Sequence, residues 1–139
     1  MKSVKEILRE TGCQIIWNHS NAKGLYMQEL NCIYLSLDYD ELETKSFLYH
    51  ECGHLLSEDT KAHLKSLEMK QERRANDFMI DTCVDEIAPD YEDCPYLLTA
   101  CEVISRFNLP EILFDDISRS IKKYLTKHNW AVEGRKNGF

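Results

Sequence analysis

The stretch FLYHECGHLL, residues 47–56, settles more about this chain than any other ten residues. Leu48, Cys52, Leu55 and Leu56 recur at spacings of three and four, the period of an amphipathic helix. His50 and His54 are four apart, so a helix sets both imidazoles on one face. The helical pattern begins near Asp40, and the polar run SEDTKAH (57–63) is expected to end it. A second helix is expected from about Leu64 to Ile87, packing through Leu67, Ala75, Phe78, Met79 and Ile80.

Upstream, Ser3-x-x-Glu6 reads as a capping box that opens a short helix holding Val4, Ile7 and Leu8, and Gly12 closes it. Three short β-rich runs follow: CQIIW, GLYMQEL and CIYLSL. In the last, Ile33, Leu35 and Leu37 alternate with Cys32, Tyr34 and Ser36, the period of a half-buried strand. Downstream, APDYEDCP (88–95) reads as a connector. Two helices are expected at about Tyr96–Phe107 and Pro110–Lys127, with Pro110 in a first helical turn. The tail AVEGRKNGF is expected to fray. The expected fold class is therefore α+β. A small three-stranded antiparallel sheet packs on the histidine-bearing helix and on the helix after it, and a C-terminal helical pair follows. The final two helices are too small to fold alone, so residues 1–139 are read as a single domain.

Composition narrows the function classes. A chain of 139 residues, 43% apolar and 29% charged, is ordinary for one globular domain. No apolar run approaches a membrane span. The N-terminus MKSVKEILRE carries Glu6 and Glu10 and lacks the apolar block of a signal peptide, so the expected location is cytoplasmic. A net charge of -7 argues against a general nucleic-acid binder, which needs clustered positive charge. The six cysteines form no CxxC pair and read as reduced, mostly buried thiols rather than a zinc ribbon or disulfide framework.

His50-Glu51-Cys52-Gly53-His54 fits H-E-x-x-H. Two imidazoles on one helical face can meet one tetrahedral zinc ion, at roughly 2.0–2.1 Å each. Glu51 lies about 100° round the helix and can act on a water without ligating the ion itself. The bland alternative, two histidines four apart by chance, is disfavoured by the helical context. A catalytic zinc needs a third protein ligand. The extension that supplies it as histidine, with Gly at 57 and His at 60, is absent: the chain has Ser57 and Thr60. Glu72, on the second helix, is the favoured third ligand, and His63 and Glu68 compete with it. Against Glu72 stands its setting, KQERR, which also reads as a solvated helix face. Asn76 shares the face of Glu72 and is placed to accept a hydrogen bond from the other nitrogen of His50 or His54. His63, Tyr49 and Tyr91 are the side chains that offer an oxyanion donor, each with packing or surface as its plainer role.

FLYHECGHLL followed by QERRANDFMI resembles the ImmA/IrrE family of zinc metallopeptidases. That family pairs an H-E-x-G-H helix with a helix reading roughly E-x-E-A-N-x-F-A. The order of elements along the chain agrees over most of its length, with the specific motifs between Phe47 and Phe78. The resemblance implies His50, His54 and Glu72 as zinc ligands, Glu51 as catalytic glutamate and Asn76 as a supporting residue. It also implies proteolysis of a protein substrate, a helix-turn-helix repressor of a phage or mobile element. The chain departs from the pattern at Cys52 (usually aliphatic), at Arg74 (the second glutamate) and at Met79 (often alanine). The second function class is a binding module that keeps the fold and works as an antirepressor by contact alone. On the peptidase reading an extended substrate pairs with a sheet edge, supplied by Gly24–Leu30 or by Cys32–Leu37.

Two further readings carry less weight. Cys52 beside two histidines suggests a thiol protease, yet it lies about 200° round the helix from His50 and is expected in the core. Cys83 and Cys101 are expected on buried faces as well. The segment CEVISRFNLPEILFDDISRSIKKYL has the outline of a helix-turn-helix with a basic stripe of Arg119, Lys122, Lys123 and Lys127. Residues 89–139 nonetheless hold 7 Lys+Arg against 8 Asp+Glu, which favours packing or partner recognition over DNA.

Overall fold

The structure is a computed structural model, and it describes residues 2–19, 23–57 and 65–130. Of the break expected at 57–63, residues 58–63, and with them His63, lie outside the described residues, as does the 131–139 tail. The chain divides into two compact units, residues 1–79 and 80–139, and the division falls inside one helix, α3 (Lys65–Ile87).

The first unit opens with α1 (Val4–Thr11). Ser3 Oγ accepts the Glu6 N–H at 3.1 Å and also contacts the Glu6 carboxylate at 3.1 Å, so cap and glutamate hold each other. Gly12 closes the helix at φ 70, a left-handed conformation that costs glycine little, and its N–H reaches the Leu8 carbonyl at 3.1 Å. Strands β1 (Gln14–Asn18), β2 (Gly24–Met27) and β3 (Cys32–Ser36) follow, and they lie in the order β1–β3–β2.

The fold is α+β with a three-stranded sheet, but the sheet is mixed rather than antiparallel throughout. β2 and β3 form the expected antiparallel pair, with Gly24 opposite Leu35 and Met27 opposite Cys32. The short turn Gln28–Leu30 and left-handed Asn31 (φ 48) return the chain directly, which forces that direction. β1 takes the far side of β3, where it runs parallel from Gln14↔Cys32 to Asn18↔Ser36. Its side-chain period is the same beside either neighbour, so alternation in the sequence carries no information on strand order.

As the central strand, β3 is buried at every position except Tyr34, which is half-buried, so its period-two pattern is masked. Leu37 falls beyond the strand and is exposed. Ile33 and Leu35 meet Ile7, Cys13, Cys52, Leu55 and Phe78 in one apolar cluster. Full burial of such aliphatic side chains stabilises by about 1.5–3 kcal/mol each, which fixes the sheet on its helices. Helix α2 (Glu41–Leu56) is capped by Asp40, whose carboxylate accepts the Glu43 N–H at 2.8 Å.

The second unit continues α3 from Ile80. α4 spans Ala100–Phe107 and α5 spans Phe114–Lys127. α4 begins four residues later than the periodicity suggests. Pro95–Leu97 makes a single 3-10 turn, and Thr99 then caps the helix by accepting the Glu102 N–H. Pro110 likewise sits outside α5, extended at ψ 138, ahead of another 3-10 turn at Glu111–Leu113. Val103 and Phe107 of α4 and Ile117, Ile121 and Leu125 of α5 are buried. Asp81 on α3 accepts hydrogen bonds from Ser120 Oγ and Lys123 Nζ, both at 2.6 Å. No helix among the described residues is long and apolar enough to cross a membrane.

Candidate metal centre

The site begins with a residue that has no side chain. Gly53 lies inside α2, where glycine weakens a helix. A Cβ added there would stand 2.7 Å from Ala75 Cα and 3.0 Å from Ala75 O. Helices α2 and α3 therefore meet backbone to backbone, and only Gly53 permits it. His50 and His54 flank Gly53, and Glu72 lies three residues before Ala75, on the same helical face. The close approach thus delivers the Glu72 carboxylate to both imidazoles. Glu72 Oε2 is 3.1 Å from His50 Nε2 and Oε1 is 2.9 Å from His54 Nε2. The two rings meet edge to face, with centroids 4.9 Å apart.

Glu51 approaches the same point from beneath the sheet. It is 9% exposed, and its Oε2 stands 3.9 Å from His50 Nε2. Its Oε1 accepts the backbone N–H of Tyr26, on β2, at 2.7 Å. Ser36 donates to the Lys23 carbonyl at 3.3 Å, which puts the amide groups of residues 23, 25 and 27 toward β3. The groups of Gly24 and Tyr26 therefore face the opposite way, at the sheet's edge.

The side chains brought together suit a divalent cation. Imidazole nitrogen and carboxylate oxygen are both zinc-type donors, and single ligand atoms of His50, Glu51 and His54 all lie within 4.8 Å of one another. Two bonds of 2.0–2.1 Å at a tetrahedral angle set ligand atoms about 3.3 Å apart. The Glu72 oxygens, at 3.1 and 2.9 Å from the two nitrogens, are near that spacing. Histidine and glutamate at these distances also attract each other directly when an imidazole is protonated, so a proton and a cation compete for the same nitrogens.

Other residues singled out by the sequence fall elsewhere. Glu68 is exposed one turn before Glu72 and pairs with neither imidazole. Asn76 is half-buried one turn beyond Glu72, and among the described residues no hydrogen bond joins it to His50 or His54. One turn is about 5.4 Å of helix, and Glu72 already fills the level of the rings. Tyr49 is buried, and Tyr91 donates its hydroxyl to Glu102 at 2.5 Å. Cys52 is fully buried in the apolar cluster, as expected, and burial pushes its thiol up to about 12, with smaller contributions from Cys13 and Glu51. Cys83 is buried too, but Cys101 is exposed, because α4 buries Ala100, Val103 and Phe107 and Cys101 falls off that face. In the basic stripe, Arg119 pairs with Asp116 and Lys123 with Asp81.

Gly53 stands inside the motif, but its role as the point of helix contact does not follow from the spacing of the histidines; Gly24 and Tyr26, the neighbours of Glu51, lie outside the motif altogether. A glycine inside a helical pattern is the signal that marks a close approach at the first. The Tyr26 contribution is a backbone N–H, which no residue type announces. No family model matches the chain, and neither curated proteins nor solved structures gave a match.

Proposed function

We propose that the chain is a zinc-dependent endopeptidase in which His50, His54 and Glu72 hold the metal and Glu51 is the general base. One observation carries the reading: a carboxylate from a second helix touches both Nε2 atoms of an H-E-x-x-H helix, at 3.1 and 2.9 Å. Zinc bound there would supply Lewis acidity to a scissile carbonyl and acidify water.

The chain's own groups do the rest. Glu51 takes a proton from the attacking water and returns it to the leaving amine. Its burial and its bond to Tyr26 hold it ready for that transfer. Of the two runs able to supply a docking edge, β3 is the central strand, so the edge beside Glu51 belongs to β2, Gly24–Met27. An extended peptide laid there passes the imidazoles. The resemblance to ImmA/IrrE peptidases makes a helix-turn-helix repressor the substrate to try first, and makes a phage or mobile-element setting the place to look for it.

The test is Glu51→Gln, assayed with zinc-loaded protein against a helix-turn-helix repressor as substrate. Zinc should be retained and cleavage should fall about 10²–10⁴-fold. Undiminished cleavage would overturn the assignment of Glu51. Derepression that persists in cells carrying Glu51→Gln would favour the binding module, a protein that grasps its partner without cutting it.

A further inference from the structure

We infer that Gly24 and the Tyr26 N–H of β2 form a seat that fixes the rotamer of Glu51, so that β2 positions the base as well as offering an edge. The inference rests on the peptidase reading for its consequence, but its geometry stands apart from it. Glu51 has two carboxylate oxygens with different surroundings. Oε1 is tethered to Tyr26 N–H at 2.7 Å, within the short range of charge-assisted bonds, and this turns Oε2 toward His50 Nε2, 3.9 Å away. A glutamate without the tether has three rotatable bonds and would lose entropy each time it met its water.

Gly24 supplies the space. It lies opposite Leu35, on the face of the sheet that α2 covers. A Cβ on Gly24 would come 3.3 Å from Glu51 Cγ, 3.3 Å from Leu35 Cδ2 and 3.4 Å from Phe47 Cβ. A Cβ there needs a few tenths of an ångström from Glu51, Leu35 or Phe47, so glycine is what leaves the glutamate stem its full space. The seat also defines what a peptide meets. With Tyr26 N–H committed to Glu51, an incoming strand beside the site cannot pair with that group.

The first measurement needs no substrate: amide hydrogen exchange at Tyr26 by NMR, in wild type, Glu51→Gln and Glu51→Ala. Protection should be high in wild type, largely kept in Glu51→Gln, whose side-chain carbonyl still accepts, and about tenfold or more lower in Glu51→Ala. Equal exchange in wild type and Glu51→Ala would overturn the seat. The second measurement replaces tyrosine 26 by its α-hydroxy analogue, which removes the N–H and keeps the ring, and adds Gly24→Ala as a variant made by ordinary mutagenesis. Both should keep zinc content and KM for the repressor and lose kcat, the first by about tenfold. A fall in thermal stability with kcat unchanged would make the bond merely structural and overturn the positioning role. If the exchange pattern holds while zinc-loaded wild type cleaves nothing, the seat stands and the peptidase reading falls.

Discussion

Glu72 is half-exposed, with 52% of its side chain open to solvent, yet it makes both carboxylate contacts to the histidines. An exposed glutamate among KQERR would ordinarily be a solvated residue, and only its position three before Ala75 makes it otherwise. Glu72→Ala should weaken zinc binding by more than the roughly 10–100-fold typical of losing a supporting partner, read by calorimetric titration. Unchanged affinity would return the third ligand to His63 or Glu68. Arg74, which stands where the resembled pattern has its second glutamate, lies about 200° round α3 from Glu72 and so on another face of the helix. Cys52 gives a second residue-level prediction. Its thiol is held near 12, against an ordinary 9.0, so folded protein keeps the proton that unfolded chain releases. That contribution to stability is complete below about pH 9 and is lost as pH rises toward 12. Denaturant midpoints should fall over this window, and less so in Cys52→Ala. An alkylating reagent at pH 8 should modify exposed Cys101 and spare Cys52 in the native state. Rapid labelling of Cys52 would contradict its burial.

At the scale of elements, the site depends on one helix–helix contact. Gly53→Ala places a Cβ 2.7 Å from Ala75 Cα, so α2 and α3 must part. The expected cost is about 1–3 kcal/mol of stability from overpacking, measured by urea unfolding, together with weakened zinc affinity as Glu72 withdraws. A stable Gly53→Ala protein with full affinity would show that the contact does not set the ligand. The same elements show what the sequence could yield. Apolar residues at spacings of three and four marked α2 and α3 nearly to their ends, because long amphipathic helices repeat the signal several times. The histidine pair and its glutamate were readable because their chemistry resides in side chains at fixed helical offsets. Strand order was not, since β1 alternates identically whichever neighbour it joins. The start of α4 was hidden because Tyr96 and Leu97 are apolar while Pro95 turns the chain and Thr99 caps it later. Tyr26 was invisible because its contribution is a peptide N–H.

For the whole molecule, the division into units at residues 79 and 80 assigns every proposed site group, from Gly24 to Ala75, to the first unit. Cation binding should therefore act as a ligand for that unit's native state. At free zinc about a thousandfold above Kd it should add roughly 4 kcal/mol, and chelation should remove it. Hydrogen exchange should slow with zinc in α2 and in the first half of α3, while α4 and α5 serve as internal references. Uniform slowing throughout, or none in α2, would conflict with a site confined to residues 1–79. The most direct measurement is the metal content of protein dialysed against zinc, wild type beside His50→Ala. About one zinc per chain is expected in wild type and a near-complete loss in the variant. Wild type that comes through without zinc, or His50→Ala that keeps as much as wild type, would contradict the proposed site.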